Sequence, residues 1–298
     1  MGNDRIRVDK RRNATFQVWG PLKGLSTNID NAIHPNLLDI LNSGDTSKLT
    51  LQSDLDHYDR WKWVKGKINS LGFRSDEFTD SHDGLHVIFS GDSNTFGEGL
   101  ERSEMWSSLV LEELSKTNKV SGYFNLGSPG TSIMTSVMNI FKYMNAYGKP
   151  NLIFINLTEL SRFYDYVHDE KRYATTMYES GFMETIRLVA YDYYFMLQTY
   201  CKSNDIQLYS FTWDTDSDRV DSKDYVCTND IFNKQEFDTF YALPNSTVMW
   251  REMFDKYDKS FIDQEFFQTA RDGSHFGIGP NMWWADKMIS AYMKRNQK

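Results

Sequence analysis

The sequence predicts an α/β fold in which a parallel sheet carries helices on both faces. Two observations predict it. From His86 onward, short apolar runs alternate with longer amphipathic segments, the pattern of strands joined by crossover helices. A chain of 298 residues, 40% hydrophobic and 15% aromatic, is also long enough and apolar enough to bury a sizeable core.

The elements read in order. Val87-Ile88-Phe89-Ser90 is a buried strand. Met105 to Leu114 has helical spacing, with Trp106, Leu109, Val110 and Leu114 on one face. Tyr123-Phe124-Asn125-Leu126 is a second strand and Ser132 to Tyr147 a second helix. Leu152-Ile153-Phe154-Ile155, preceded by Gly148-Lys149-Pro150, is a third strand. A long helix over Met183 to Tyr200 leads to a fourth strand, Ile206 to Trp213, and a last helix covers Met282 to Met293. The segment from Asp214 to Lys259, rich in Asp, Asn and Phe, reads as an insertion that shapes the cleft. Residues 1–80 differ: they are polar, with helix-like stretches at Pro35 to Leu41 and Asp54 to Leu71 and packing anchors at Trp61 and Trp63. They are expected to form a mostly helical N-terminal extension packed on a main domain spanning 81–298.

Bulk properties exclude several functions. A formal charge of −8, with acids and bases interspersed, gives no attraction to nucleic acid or anionic lipid. The basic run Lys10-Arg11-Arg12 is short and reads as a solvated tail. No apolar run approaches a membrane span, and no secretory leader is visible. The expected location is therefore cytoplasmic as synthesised, with export by another route or incorporation in a particle left open. Two cysteines, Cys201 and Cys227, make neither a disulfide framework nor a metal site, and leave a single pairing open. His82 and His86 at spacing four do not form a helical metal pair, because Gly84 and a strand start intervene.

The chemistry concentrates after the first strand, in Gly91-Asp92-Ser93-Asn94-Thr95-Phe96-Gly97-Glu98-Gly99-Leu100. In a parallel sheet, such a turn puts Ser93 at the C-terminal edge, where sites form. Backbone N–H groups of a following helix could stabilise an oxyanion when a serine attacks a carbonyl. A phosphate loop lacks its Lys and Ser/Thr here, and a dinucleotide fingerprint has its glycines elsewhere. The Gly-x-Ser-x-Gly elbow fails at Thr95. A plain strand-to-helix turn stays the competing reading.

Phe89-Ser90-Gly91-Asp92-Ser93 followed by Thr95-Phe96-Gly97-Glu98-Gly99 resembles the first motif block of the SGNH/GDSL hydrolases. The lead-in Asn69-Ser70-Leu71-Gly72-Phe73-Arg74 is similar to one found in some bacterial members. The resemblance runs with gaps from Asn69 to Ala291. It implies a flavodoxin-like three-layer sandwich and hydrolysis of esters, thioesters or sugar acetyl groups by an activated serine. The implied substrate is a small ester or acetylated carbohydrate, and no cofactor or metal is implied.

A serine hydroxyl needs a base, itself oriented by a third group. The family supplies both as Asp-x-x-His, a spacing that occurs here at Asp54/His57, Asp83/His86, Asp165/His168 and Asp272/His275. His86 opens the strand that precedes Ser93, roughly 20 Å away at about 3.3 Å per residue, on the wrong edge of the sheet. His57 falls in the extension. His168 follows the third strand and is a rival. Asp272 and His275 follow all the strands and precede the closing helix, where the resemblance puts this pair. The resulting assignment is Ser93 as nucleophile, His275 as base and Asp272 as orienter.

The second family block resembles Asn125-Leu126-Gly127-Ser128-Pro129-Gly130-Thr131-Ser132, which makes Gly130 the backbone oxyanion donor. Pro and Gly also suit an ordinary turn. The third block, normally Gly-x-Asn-Asp, is replaced by Ile155-Asn156-Leu157-Thr158-Glu159-Leu160-Ser161-Arg162. Asn156 is its only asparagine, about two residues early, and Thr158 is an alternative donor. Phe163, Tyr164 and Tyr166 suit a sugar platform, while Tyr191, Tyr193 and Tyr194 read as core. The rival function is a non-catalytic binding or structural protein on the same fold, serving a particle or surface assembly. Oligomeric state is unreadable in the sequence.

Overall fold

The structure is a computed structural model that describes residues 69, 71, 73–160, 162–165, 170–173, 182–215, 227–234, 237–264, 266–270 and 275–296. The expected extension falls mostly outside these residues, as do Asp272, His57 and His168. The described part of the lead-in joins the main core: Phe73 is buried among Ile88, Phe124 and Val137.

Four parallel strands form the sheet: β1 (Val87–Ser90), β2 (Phe124–Asn125), β3 (Leu152–Leu157) and β6 (Gln207–Thr212), in the order β2-β1-β3-β6. β1 pairs with β3 from Val87↔Leu152 to Ser90↔Ile155, and β3 with β6 from Leu152↔Gln207 to Leu157↔Thr212. Alternation along each strand feeds two cores. Ile88, Ile153, Ile155 and Leu208 face one side, with Val137 and Ile140 of α3 (Ile133–Tyr147) and Tyr194 and Leu197 of α4 (Phe182–Ser203). Val87, Phe89, Phe154, Tyr209 and Phe211 face the other. They pack there with Trp106 and Val110 of α2 (Trp106–Ser115) and Trp284 and Met288 of α8 (Ile278–Asn296). The result is an α/β sandwich of three layers.

On the second face the rings of Phe89, Phe154 and Tyr209 stack across adjacent strands at 5.6 and 5.1 Å between centroids. Such cross-strand aromatic pairs add to area burial and help fix the register. The sequence places the four strands and the long helices correctly to within a few residues. It misses an antiparallel hairpin, β4 (Arg162–Asp165) and β5 (Glu170–Tyr173). The segment read as an insertion is largely helical where described, with α5 (Thr228–Lys234) and α6 (Ser246–Lys256), and α7 (Lys259–Ile262) starts at its last residue. Tyr194 is buried, and Tyr191 and Tyr193 pack against the same core.

Cys201 and Cys227 are both free and buried, so the pairing left open above does not form. Burial pushes each thiol up to about 12, which leaves them protonated and inert at neutral pH. No helix among the described residues is long and apolar enough to cross a membrane.

Candidate active site

All four strands end on one edge, at Ser90, Asn125, Leu157 and Thr212, and the site is built from the loops that leave them. After β1 the chain reverses through Gly91, at φ 148°. A Cβ there would lie 2.3 Å from Thr95 Oγ1 and 2.7 Å from the Asn156 carbonyl oxygen, so the turn admits only glycine. A single helical turn follows, α1 (Ser93–Phe96), with Ser93 as its first residue.

Asp92 caps that turn by accepting from Asn94 N at 3.0 Å. Its other oxygen accepts from Thr158 Oγ1 (3.0 Å), Arg162 Nη1 (3.1 Å) and Trp213 Nε1 (2.8 Å). The carboxylate is fully buried, and a buried charge persists only with such compensation. Arg162 is itself held by Glu159 at 2.7 Å and stands over the Trp213 ring. Asp92 is thus saturated with donors: it anchors the serine turn and has no free lone pair for a base. Thr158, considered above as an alternative oxyanion donor, gives its hydroxyl proton to Asp92 instead.

The loop after α1 is held by Arg74, whose buried guanidinium donates to the carbonyls of Gly97 (2.5 Å) and Leu100 (2.6 Å). Desolvation lowers Arg74 to about 10, which still leaves it cationic at neutral pH. Between those anchors lies Glu98. Its backbone N–H donates to Ser93 O at 3.1 Å, and its side chain, 4% exposed, meets His275. Glu98 Oε2 is 2.9 Å from His275 Nε2, while Oε1 is buried without a hydrogen-bond partner. The segment just before α8 therefore brings an imidazole to the loop that begins at Ser93.

His275 O accepts from Ala270 N at 2.9 Å, and Thr269 forms an antiparallel bridge with Phe276. Asn281 ties Phe276 and Gly277 to the sheet-covering layer. It accepts from Trp106 N at 3.1 Å and donates to the carbonyls of Phe276 and Gly277. The Ser93 hydroxyl is not hydrogen-bonded to His275, whose Nε2 faces Glu98.

The second loop is fastened to the serine turn by Asn125, which donates to Thr95 O at 2.7 Å and accepts from Gly127 N at 2.7 Å. Ser128 N donates to Gly91 O at 2.9 Å. At Gly127 a Cβ would lie 2.5 Å from Phe96 N, so close approach of the two loops requires this glycine. Gly130 follows with φ 61°. Among the described residues, the N–H groups of Ser93 and Gly130 donate to no acceptor. Asn156 lies within β3 opposite Phe211, fully buried, and both its side-chain polar atoms lack partners.

Sequence reasoning missed Glu98, Arg162, Trp213 and Asn281. Glu98 carried a signal, as a carboxylate between two glycines directly after the serine turn. Arg162 and Trp213 carried none, since only the fold reveals their common target in Asp92. The side chains of Phe163, Tyr164 and Tyr166 lie outside the described residues.

Among solved structures, the chain is similar to the psychrotrophic esterase EstA from Pseudoalteromonas sp., in a structure inhibited by monoethylphosphonate. The match has 15% sequence identity and a TM-score of 0.41, and covers 71% of this chain and 98% of that chain. No family model matches the chain, and no curated protein matches it.

Proposed function

We propose that the protein is a serine hydrolase acting on esters, with Ser93 as nucleophile, His275 as base and Asp272 as its orienter. One observation carries the reading. Glu98 is bonded through its backbone to the Ser93 carbonyl and through its side chain to His275 Nε2, so an imidazole from the last loop stands beside the serine turn.

In this reading His275 turns Nε2 from Glu98 to Ser93 when substrate arrives. The Ser93 proton passes to His275 as Oγ bonds to the acyl carbon. The C–O bond to the alcohol then breaks, and His275 returns the proton to the leaving alkoxide. Water repeats the sequence on the acyl-enzyme, releasing the acid and restoring the Ser93 hydroxyl. The uncommitted N–H groups of Ser93 and Gly130 receive the oxyanion, with the unpartnered amide of Asn156 as third donor. Glu98 is a positioning residue that keeps the imidazole at the rim between turnovers. The chemistry calls for no cofactor.

A fluorophosphonate probe tests the assignment, because it reacts only with an activated serine. Labelling of the wild-type protein, lost in both Ser93→Ala and His275→Ala, is the expected result. A folded protein that resists the probe and leaves p-nitrophenyl acetate intact favours the binding or structural module instead.

A further inference from the structure

Beside the serine turn lies a cavity of about 240 Å³ walled by tryptophans. Trp213, Trp250, Trp283 and Trp284 line it, with Phe276 between them; Phe276 packs against Trp284 at 5.1 Å and against Trp213 at 6.2 Å. Two of these walls belong to the site already described. Trp213 donates to Asp92, the residue before Ser93, and Phe276 follows His275 directly.

Among the described residues, no charged side chain lines the cavity, and the side-chain hydroxyls there are those of Thr215 and Ser246. The indole N–H of Trp213 is committed to Asp92, and that of Trp283 to Glu252 at 2.7 Å. Both rings therefore offer carbon surface with their donors turned to other partners. A sugar seated here would bury several hydroxyls with few groups to receive them, and each one left unpaired would weaken binding. Hydrocarbon meets no such penalty, and each buried methylene contributes about 0.8 kcal/mol.

We infer that this cavity takes an uncharged apolar chain of the ester substrate, attached on one side of the scissile bond. The inference rests on the serine-hydrolase reading for its place in the reaction. For scale, an apolar cavity of about 150 Å³ accommodates benzene, so this one holds a chain of about ten carbons.

The test is a pair of homologous series, p-nitrophenyl esters of lengthening acids and alkyl acetates of lengthening alcohols. In one series kcat/KM should rise about fourfold per methylene and level off near ten carbons. Ser246→Phe, at the first turn of α6, should bring the plateau to shorter chains and leave acetyl or ethyl substrates unchanged. Trp250→Ala should open one wall and reduce the gain per methylene. Hydrolysis of short esters with both series flat would overturn the cavity's role and leave the serine reading standing. If no ester is cleaved, the serine reading falls, and 2-undecanone decides the cavity through tryptophan fluorescence. A saturable change that Ser246→Phe abolishes then retains apolar binding, and no saturable change overturns it.

Discussion

Two histidines stand at opposite edges of the sheet, and each follows an aspartate by three residues. At the N-terminal edge His86 is 2% exposed and stacks on His82 with 3.4 Å between ring centroids. Its Nε2 meets the Tyr143 hydroxyl at 2.8 Å. Asp83 turns away into solvent and pairs with Lys119. Burial, reinforced by the neighbouring His82, lowers His86 to about 3, so it stays neutral at any ordinary pH. At the C-terminal edge His275 is partly exposed and faces a carboxylate. Identical spacing gives a packed aromatic in one place and a candidate base in the other. What separates them is the edge of the sheet, because loops with free polar groups collect only where parallel strands end.

The comparison can be broken by experiment. The largest expected effect is at His275: replacement by Ala should lower kcat for a short ester about 10⁴-fold. His86→Gln, assayed beside it, should leave kcat within twofold. Equal losses at the two positions would erase the distinction.

Asn156 comes next. A buried amide with no partner destabilises a fold by about 1–3 kcal/mol and is retained where it has work to do. Asn156→Leu should therefore raise the urea midpoint while lowering kcat about 100- to 1000-fold, the usual loss for one oxyanion donor. A stabilised variant with full activity would remove Asn156 from the hole.

A smaller effect is expected at Glu98. Glu98→Ala should lower kcat about 10- to 100-fold with KM unchanged, and Glu98→Gln, which keeps an acceptor for the imidazole, should recover most of it. No recovery by Gln would mean that the charge, not the contact, matters.

A further effect bears on stability, not on rate, and belongs to His86. Its folded pKa is depressed, so between about pH 6.5 and 3 the unfolded chain binds a proton that the native state refuses. Stability is lost as pH falls through that window, by about 1.4 kcal/mol per unit. His86→Gln should flatten this slope in urea unfolding measured from pH 7 to 4, and an unchanged slope would put the proton elsewhere.

Much of this architecture was legible because buried strands announce themselves. Val87 to Phe89 and Leu152 to Ile155 are apolar without interruption, as strands covered on both faces tend to be. The serine turn was legible for a related reason: small polar residues directly after such a run have one place to go. The hairpin was not, since Arg162 to Asp165 and Glu170 to Tyr173 mix charge with aromatics and show no apolar run. Nor was the pairing of Glu98 with His275. Those two are separated by nearly the whole chain from β1 to α8, and a glutamate in a glycine-flanked loop reads as solvated until the fold closes over it.

The buried carboxylate of Asp92 carries a consequence for how the protein is made. Its partners Thr158, Arg162 and Trp213 come 66, 70 and 121 residues further along the chain. Synthesis therefore releases the Ser93 turn long before the side chains that anchor Asp92. Until β6 has docked, Asp92 is still hydrated and the neighbouring hydroxyl has no defined surroundings. On the serine-hydrolase reading proposed above, the turn gains its full set of contacts only once Trp213 is in place, and its base arrives later still, with His275.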